Sequence, residues 1–527
     1  MFVDKSLAKK FIRQSYGINP LEGYNFYNAS GRLDKIKRYH LLQEQEDSSV
    51  DETTWNDLEM DSVFLRINHT NSFIGEQILY HRLHDLNSDE EVKMEKLVDY
   101  FDGNPMEREK IEERLFRIGK HDEDYYLNEF LANTNLWKVG NVGSYHILQV
   151  LLIVLLLLSI FMRVPIAYIG LVLVAITNFM IYWRTKVNYN IYFSSLVTFK
   201  SIYNTAVYLV DKVPDKYINA VKLNQSIKTL RELSRIIISL DNRRGSALSG
   251  DVSGLLLEYI NGILLIDVTA FSYTMKAIEN KLEDVETLMK FIGEIDAGIS
   301  VSSYRASVAH WCSPLFGEQG IEVEDIIHPL LENPIPNNWK LANKAMITGA
   351  NASGKSTFMK SIAINCILAQ TIYTCTASKM ILRPVKIMTC MALRDNIITG
   401  ESYYMQEIKC LKEIVNQAGR ENVLVVLDEM LKGTNTAERI AASKAILDYL
   451  GSSSMLIIVA THDDELTENA KYEQFHFKGL VENDRLLFDY RIYEGKNENK
   501  NAIELLAILG YPSVIVEKAR AKFYANR

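Results

Sequence analysis

The sequence has few cysteines, prolines and glycines, and it lacks a basic excess. Its five cysteines, Cys312, Cys366, Cys375, Cys390 and Cys410, are odd in number, fall in the C-terminal half and form no CxxC pair. That argues against a disulfide framework or a zinc site and fits reduced thiols in a cytosolic domain. Ten prolines and 26 glycines in 527 residues exclude collagen-like and disordered classes. With 58 Lys+Arg against 66 Asp+Glu, a formal charge of −8, a surface wholly devoted to wrapping nucleic acid is disfavoured, although a local basic stripe is not. The start, MFVDKSLAKKFIRQ, has no apolar core of signal-peptide length, and no internal repeat or low-complexity tract is visible.

What is present is unevenly spread. The length suits about three domains, and a mean hydropathy of −0.05 looks soluble. That average hides an apolar block. Val139–Met162 and Val164–Trp183 contain no Asp, Glu, Lys or Arg. Each is long enough to cross about 30 Å of hydrocarbon as a helix. Arg163-Val164-Pro165 reads as the turn between them, and Tyr145, Tyr182 and Trp183 stand at the outer ends, where interfacial aromatics belong. Lys138, Arg184 and Lys186 flank those ends, which places the N- and C-terminal parts together in the cytoplasm. The alternative is a buried helical hairpin in a large core.

Elsewhere, residues 1–60 form a polar preface with a basic cluster at 35–38. An acidic run follows between Gln43 and Ser62, carrying Glu44, Glu46, Asp47, Asp51, Glu52, Asp57, Glu59 and Asp61, which reads as a solvated face or linker. Helical periodicity covers 63–135 and 187–310, with one clear loop expected at 241–246 and continuing to Ser253-Gly254. Lys222, Lys228, Arg231, Arg235 and Arg243-Arg244 there are either phosphate contacts or a solvated helix face. From about 344 short apolar runs alternate with helices, the pattern of an α/β sheet.

The chemistry is concentrated in that last region. AMITGANASGKST at 345–357 is a strand followed by GxxxxGKS/T. Gly349 and Gly354 let successive N–H groups turn toward a phosphate, within a segment that also offers Asn351, Ser353 and Thr357 to a nucleotide. Lys355 can reach the β- and γ-phosphates, Ser356 can bind Mg²⁺, and the helix starting there adds the positive end of its dipole. VLVVLDE at 423–429 ends a strand in two acids, placing Asp428 for the metal and Glu429 to polarise an attacking water. A third strand, Met455–Ala460, ends in Thr461-His462-Asp463, where His462 can contact a γ-phosphate or its water.

These segments together resemble the MutS family of ABC-type ATPases, known from DNA mismatch recognition. The carrying residues are GANASGKSTFMK at 349–360, GESYYMQEI at 400–408, LDEMLKGTNTAER at 427–439, ATHDDELT at 460–467 and NAIELLAILGYPSVIVEKA at 501–519. HisProLeuLeu at 328–331 and IleProAsnAsn at 335–338 are similar to the family's lead-in, and 69–86, 99–119 and 291–314 to its helical core. The resemblance implies two ATPase domains paired across the nucleotide, with Ser402 reaching the γ-phosphate in trans and the 433–436 loop crossing the interface. Read without it, Ser402 belongs to an ordinary polar turn. The family's usual Gly-Arg after the acid pair is Leu431-Lys432 here, and its frequent adenine-stacking aromatic corresponds to Ile335. The mismatch-reading domain with its Phe-x-Glu wedge has no counterpart, Phe316-Gly317-Glu318 being a coincidence of letters, and neither the DNA clamp nor a C-terminal nuclease extension is recognisable.

The expected architecture is an α/β P-loop (ABC-type) ATPase domain preceded by an all-α core/lever domain that a two-helix transmembrane hairpin interrupts. Its parts are a polar segment at 1–60, core at 61–138, the hairpin at 139–183, core and lever at 184–310, and the ATPase at 311–527. The expected function is a membrane-anchored homodimeric ATPase using ATP and Mg²⁺ to drive lever movement, with DNA an open partner. The alternatives are an ATP-regulated binder of mismatched or branched DNA and, less favoured because two spans cannot readily line a pathway, a transporter subunit.

Overall fold

A computed structural model of the protein describes residues 5–21, 31–43, 49–86, 91–132, 142–214, 217, 219–247, 259–318, 320–350, 352–391, 403–482, 485–496, 506 and 510–525. The chain forms two compact units, one of residues 1–44, 68–81 and 96–303, the other of 45–67, 82–95 and 304–527. These units are interleaved in sequence, so their limits differ from the expected 60/61 and 310/311.

Within the first unit every described element is helical. Its interior is organised around Asp296, whose buried carboxylate accepts hydrogen bonds from the Asn71 (2.9 Å) and Ser72 (2.8 Å) backbone N–H groups and the Ser72 hydroxyl (2.6 Å). That satisfies orphan donors at the start of helix Phe73–Arg82. Gly293 lets this helix approach closely, because a Cβ there would stand 2.3 Å from the Ile78 side chain. Glu76, fully buried, pairs with Arg32 (3.1 Å) and Lys120 (2.8 Å). Burial pushes its carboxyl up, but the two cations outweigh that and hold it at about 2.

Helix Val142–Leu157 passes into a π-helical turn, Leu158–Met162, and Arg163 reverses the chain at φ 50° before Pro165 opens the next helix. That helix does not stop at Trp183. It runs 48 residues to Lys212, since no Gly or Pro interrupts 184–212, and ends just before Pro214. Val142–Met162 and Pro165–Val187 are long and apolar enough to cross a membrane, and only 17% of each apolar window is buried. Of the three expected interfacial aromatics, Trp183 is exposed, whereas Tyr145 and Tyr182 pack inward with Leu265 and Val268. The loop expected at 241–246 is also corrected: helix Ala220–Ala247 runs through it. One glycine costs a helix only about 1 kcal/mol, too little to stop 28 residues lacking proline. Its Leu223, Leu230 and Leu233 face inward while Lys222, Lys228, Arg231 and Arg235 are exposed. Nothing is described of the Arg243 and Arg244 side chains, and Lys222 pairs with Glu283 at 3.4 Å.

In the second unit ten strands are described: β1 (Leu315–Phe316), β2 (Ile321–Ile326), β3 (Asn337–Leu341), β4 (Lys344–Thr348), β5 (Lys379–Leu382), β6 (Lys386–Cys390), β7 (Val423–Asp428), β8 (Leu456–Ala460), β9 (Glu473–Glu482) and β10 (Arg485–Glu494). They form a four-stranded sheet, β1-β5-β2-β3, and a six-stranded sheet, β10-β9-β4-β8-β7-β6. Strands β9, β4, β8, β7 and β6 run parallel, and β10 returns antiparallel at the edge. Their inward residues, Met346, Val425, Leu427, Ile457 and Val459 among them, are core. The acidic run is no linker where it is described. Asp51 caps helix Glu52–Asp57 through the Thr54 N–H (2.8 Å), and Trp55 stacks on His84 with ring centroids 3.5 Å apart. Asp57 is buried, accepting from the Thr389 hydroxyl and the Met391 N–H at 2.8 Å each.

Candidate functional site

Strand register determines where the site forms. Ile347 of β4 and Asp428 of β7 both stand level with Ala460 of β8, so the segments after these three parallel strands leave from one edge of the sheet. Ligands of open parallel sheets bind at this carboxyl edge. Here it carries Gly349, Ala350, residues 352–357, Asp428-Glu429 and Thr461-His462.

After β4 the chain turns into helix Lys355–Ile372. Gly349 (φ 149°) and Gly354 (φ 103°) adopt backbone that L side chains rarely reach, and a Cβ on Gly354 would lie 3.1 Å from the Tyr490 ring. The Lys355 ammonium donates to the carbonyls of Gly349 (2.7 Å) and Ala350 (3.2 Å), curling the loop around itself. Burial pushes Lys355 below the usual lysine range, against the opposing pull of Glu429 and Asp428. Ser353 is buried and its hydroxyl has no partner among the described residues, a polar atom left for a ligand or water. Asn351 and Ser402 lie outside the described residues.

The Ser356 hydroxyl donates to the Asp428 carboxylate at 2.5 Å. Burial raises Asp428 above the ordinary carboxylate range, with the Ser356 bond opposing. Glu429 follows at φ 53°. Burial would raise its carboxyl too, but the Lys432 ammonium at 3.0 Å, helped by His462 and Lys355, holds it below the usual range. The Nδ1 of His462 lies 3.4 Å from Glu429, and Arg439 ties down the adjacent Asp463 at 2.8 Å. Ser353 to Thr357, Asp428 and Glu429 line one cavity of about 330 Å³. Clefts of that size hold small-molecule ligands. The sequence-derived residues described here therefore converge, with His462 beside the cavity's acid.

Among the lining side chains with polar groups, the sequence reading gave no role to Lys432 and Tyr490. Lys432 stood in a quoted motif but carried no role. Tyr490 had no local signal. It sits at φ 54° in an irregularity of the β9–β10 ladder between Phe488 and Ile492. Asn337 secures that bulge, its amide donating to the Tyr490 carbonyl (3.0 Å) and accepting from the Ile492 N–H (2.9 Å). Bulges commonly re-aim a side chain beside a site. Ile335, the expected counterpart of an adenine-stacking aromatic, does not line the cavity.

The MutS domain V family profile matches residues 345–525, the part of the chain that builds this cavity. This part of the chain belongs to the MutS domain V family. It is 32% identical over 263 residues to the DNA mismatch repair protein MutS of Pseudothermotoga lettingae, covering 46% of this chain and 32% of that protein. To the DNA mismatch repair protein MutS 2 of Haloarcula marismortui it is 28% identical over 345 residues, covering 59% and 34%. To MutS of Thermotoga maritima it is 29% identical over 262 residues, covering 47% and 33%. The matches thus span about a third of the length of these MutS relatives.

Proposed function

We propose that the chain is a membrane-anchored MutS-like ATPase that hydrolyses ATP to ADP and phosphate in a site completed by a second copy. The observation that carries this reading is the meeting of Lys355, Ser356, Asp428, Glu429 and Tyr490 in one cavity at the carboxyl edge of a parallel sheet. Lys355 exchanges its two carbonyls for β- and γ-phosphate oxygens, and the Ser353 hydroxyl and loop N–H groups meet the remaining phosphate charge. The half-exposed Tyr490 ring offers a face to the base. Ser356 and Asp428 are a hard oxygen pair of the kind that would hold Mg²⁺. When bound there, the metal neutralises phosphate charge. Glu429, ionised at neutral pH by Lys432, takes the proton of the attacking water, and His462 lies close enough to contact that water or the γ-phosphate. Ser402 and the 433–436 loop of a partner copy close the site in trans.

The hairpin is the anchor: its two apolar helices expose their side chains to lipid, and both large parts lie on the cytoplasmic side. Closure and reopening of the paired ATPase domains drive the helical levers. Phosphate release by detergent-extracted protein, with and without Mg²⁺, tests the enzyme, and no Mg²⁺-dependent turnover would overturn it. The relatives named as DNA mismatch repair proteins favour DNA as a second reading of the cargo. Salt-dependent binding of heteroduplex and homoduplex DNA separates the two, because a preference for distorted duplex supports the mismatch-repair reading and no binding at low salt removes it.

A further inference from the structure

The apolar hairpin carries two side chains that hydrocarbon would not tolerate unpaired, Gln149 on its first helix and Asn178 on its second. One short segment takes the amide N–H₂ group of each, while the buried Asn178 Oδ1 has no partner among the described residues. The Gln149 amide donates to the Leu264 carbonyl (2.7 Å) and the Asn178 amide to the Ile263 carbonyl (2.8 Å). Those carbonyls end the helical backbone at 259–263, where Leu265 turns left-handed (φ 51°) before helix Ile266–Glu279. At such an end carbonyls have no partner within their own helix.

Packing seals the same junction. A Cβ on Gly262 would stand 2.8 Å from the Tyr182 ring and 3.3 Å from Phe179. The Tyr259 ring stacks on Phe179 at 5.6 Å between centroids, and Leu265 and Val268 are buried against Tyr145 and Tyr182. The Tyr273 hydroxyl hydrogen-bonds His146 at 2.9 Å. Gln149 lies seven residues inside the start of its helix, and Asn178 five residues short of Trp183. At 1.5 Å per residue, both amides sit roughly 7–10 Å in from the cytoplasmic ends of the hairpin. That is the depth of the headgroup–acyl boundary.

The outward side of the segment matches that depth. From Tyr259 to Met275 the only charged residue is Asp267. Tyr259 (56%), Ile260 (50%) and Tyr273 (48%) are exposed, continuing the exposed Met180 and Trp183 of the hairpin. We propose that 259–273 is a third membrane element, a re-entrant interfacial segment docked on the hairpin, with the lipid headgroup–acyl boundary as its partner. It rests on the hairpin's being membrane-spanning. Lipid is favoured over a protein partner because the exposed apolar side chains continue the hairpin's own surface, and the tyrosines suit a boundary with one wet end.

The test uses the full chain in phosphatidylcholine/phosphatidylglycerol nanodiscs, with p-benzoylphenylalanine replacing one residue at a time at 157, 221, 260 or 273, irradiation and intact-mass analysis. Leu157 lies within the hairpin, and the exposed Val221 lies at the start of the helix that follows Lys212. The expected result is a mass gain of one lipid at 157, 260 and 273 and none at 221. Lipid adducts at 157 without any at 260 and 273 overturn the third element and leave the anchor standing, as do adducts of 260 or 273 to a second copy of the chain. No adduct at 157 overturns the anchor and this inference with it.

Discussion

Glu429→Gln isolates the role of the second acid. Glutamine matches glutamate in size and keeps a carbonyl oxygen for the Lys432 ammonium now 3.0 Å from Oε2, so the loop loses little. What disappears is the ability to take a proton. A positioned general base is worth about 10²–10⁴ in rate, which at 1.36 kcal/mol per tenfold is about 3–5 kcal/mol of barrier. The first acid is untouched, since Asp428 keeps its bond from Ser356. Removing one negative charge beside Lys355 and Lys432 also favours retention of the anionic nucleotide. Steady-state phosphate release and filter-retained nucleotide, measured on the same detergent-extracted protein, should therefore move apart: turnover falls by the stated factor while ATP stays bound. Turnover equal to the parent's would refute the assignment of Glu429 as base. A loss of turnover together with a loss of bound nucleotide would refute the claim that binding and proton transfer belong to different residues.

Lys432→Met removes the cation that outweighs burial at Glu429, so the carboxyl rises. With Glu429 acting as base in its ionised form, as proposed, the acid limb of the kcat–pH profile should move to higher pH, and an unmoved limb contradicts the pairing. Tyr490→Ala should raise the KM for ATP roughly 5- to 150-fold, the equivalent of about 1–3 kcal/mol of base stacking, with a smaller effect on kcat and recovery in Tyr490→Phe. In the helical unit, burial raises the carboxyls of Glu112 to about 8 and Asp296 to about 6. Folded values above the unfolded ones mean stability that is full below about 4.5 and is lost as pH rises through 8. Resistance of the solubilised chain to denaturation, followed by circular dichroism, should weaken from pH 5 to 9, and Glu112→Gln should flatten much of that slope, whereas equal slopes would count against it.

Legibility from sequence tracked how local the cause was. That Ser353 to Thr357 would meet Asp428-Glu429 at one cavity was readable because the glycine-rich turn and the strand end are both marked by residue types close together in sequence. Tyr490 was not, since its aim depends on a bulge held by Asn337, 153 residues away. Asp57 was misread for the same reason: an acidic run normally marks a solvated face, but Thr389 and Met391, more than 300 residues on, supply the donors that make burial of this carboxylate tolerable. The helix carried past Trp183 was visible in principle as a run without Gly or Pro. What concealed it was the change in composition at Arg184, which alters the solvent a helix faces and leaves its hydrogen bonding intact.

The pair Leu431-Lys432 shows how a departure from the family pattern can be internally consistent. Leu431 sits at φ 60°, two residues after Glu429 at φ 53°. A left-handed leucine costs about 1–2 kcal/mol that glycine would not incur. The leucine side chain is, however, buried in the sheet core, and full burial of such a chain contributes about 1.5–3 kcal/mol. Its N–H is also taken by the Glu407 carboxylate, whose own carboxyl burial raises. Burial therefore offsets the strain and pins the loop from beneath. With 431 fixed in the core, the next residue emerges on the cavity side, which is where Lys432 meets Glu429. Glycine at 431 would relieve the strain but release that anchor. Leu431→Gly should then leave the acid pair in place while loosening Lys432, and should shift the acid limb of kcat in the same direction as Lys432→Met, by less. A shift as large as that of Lys432→Met would mean that the lysine depends entirely on its neighbour for position, and no shift would mean that the ion pair positions itself.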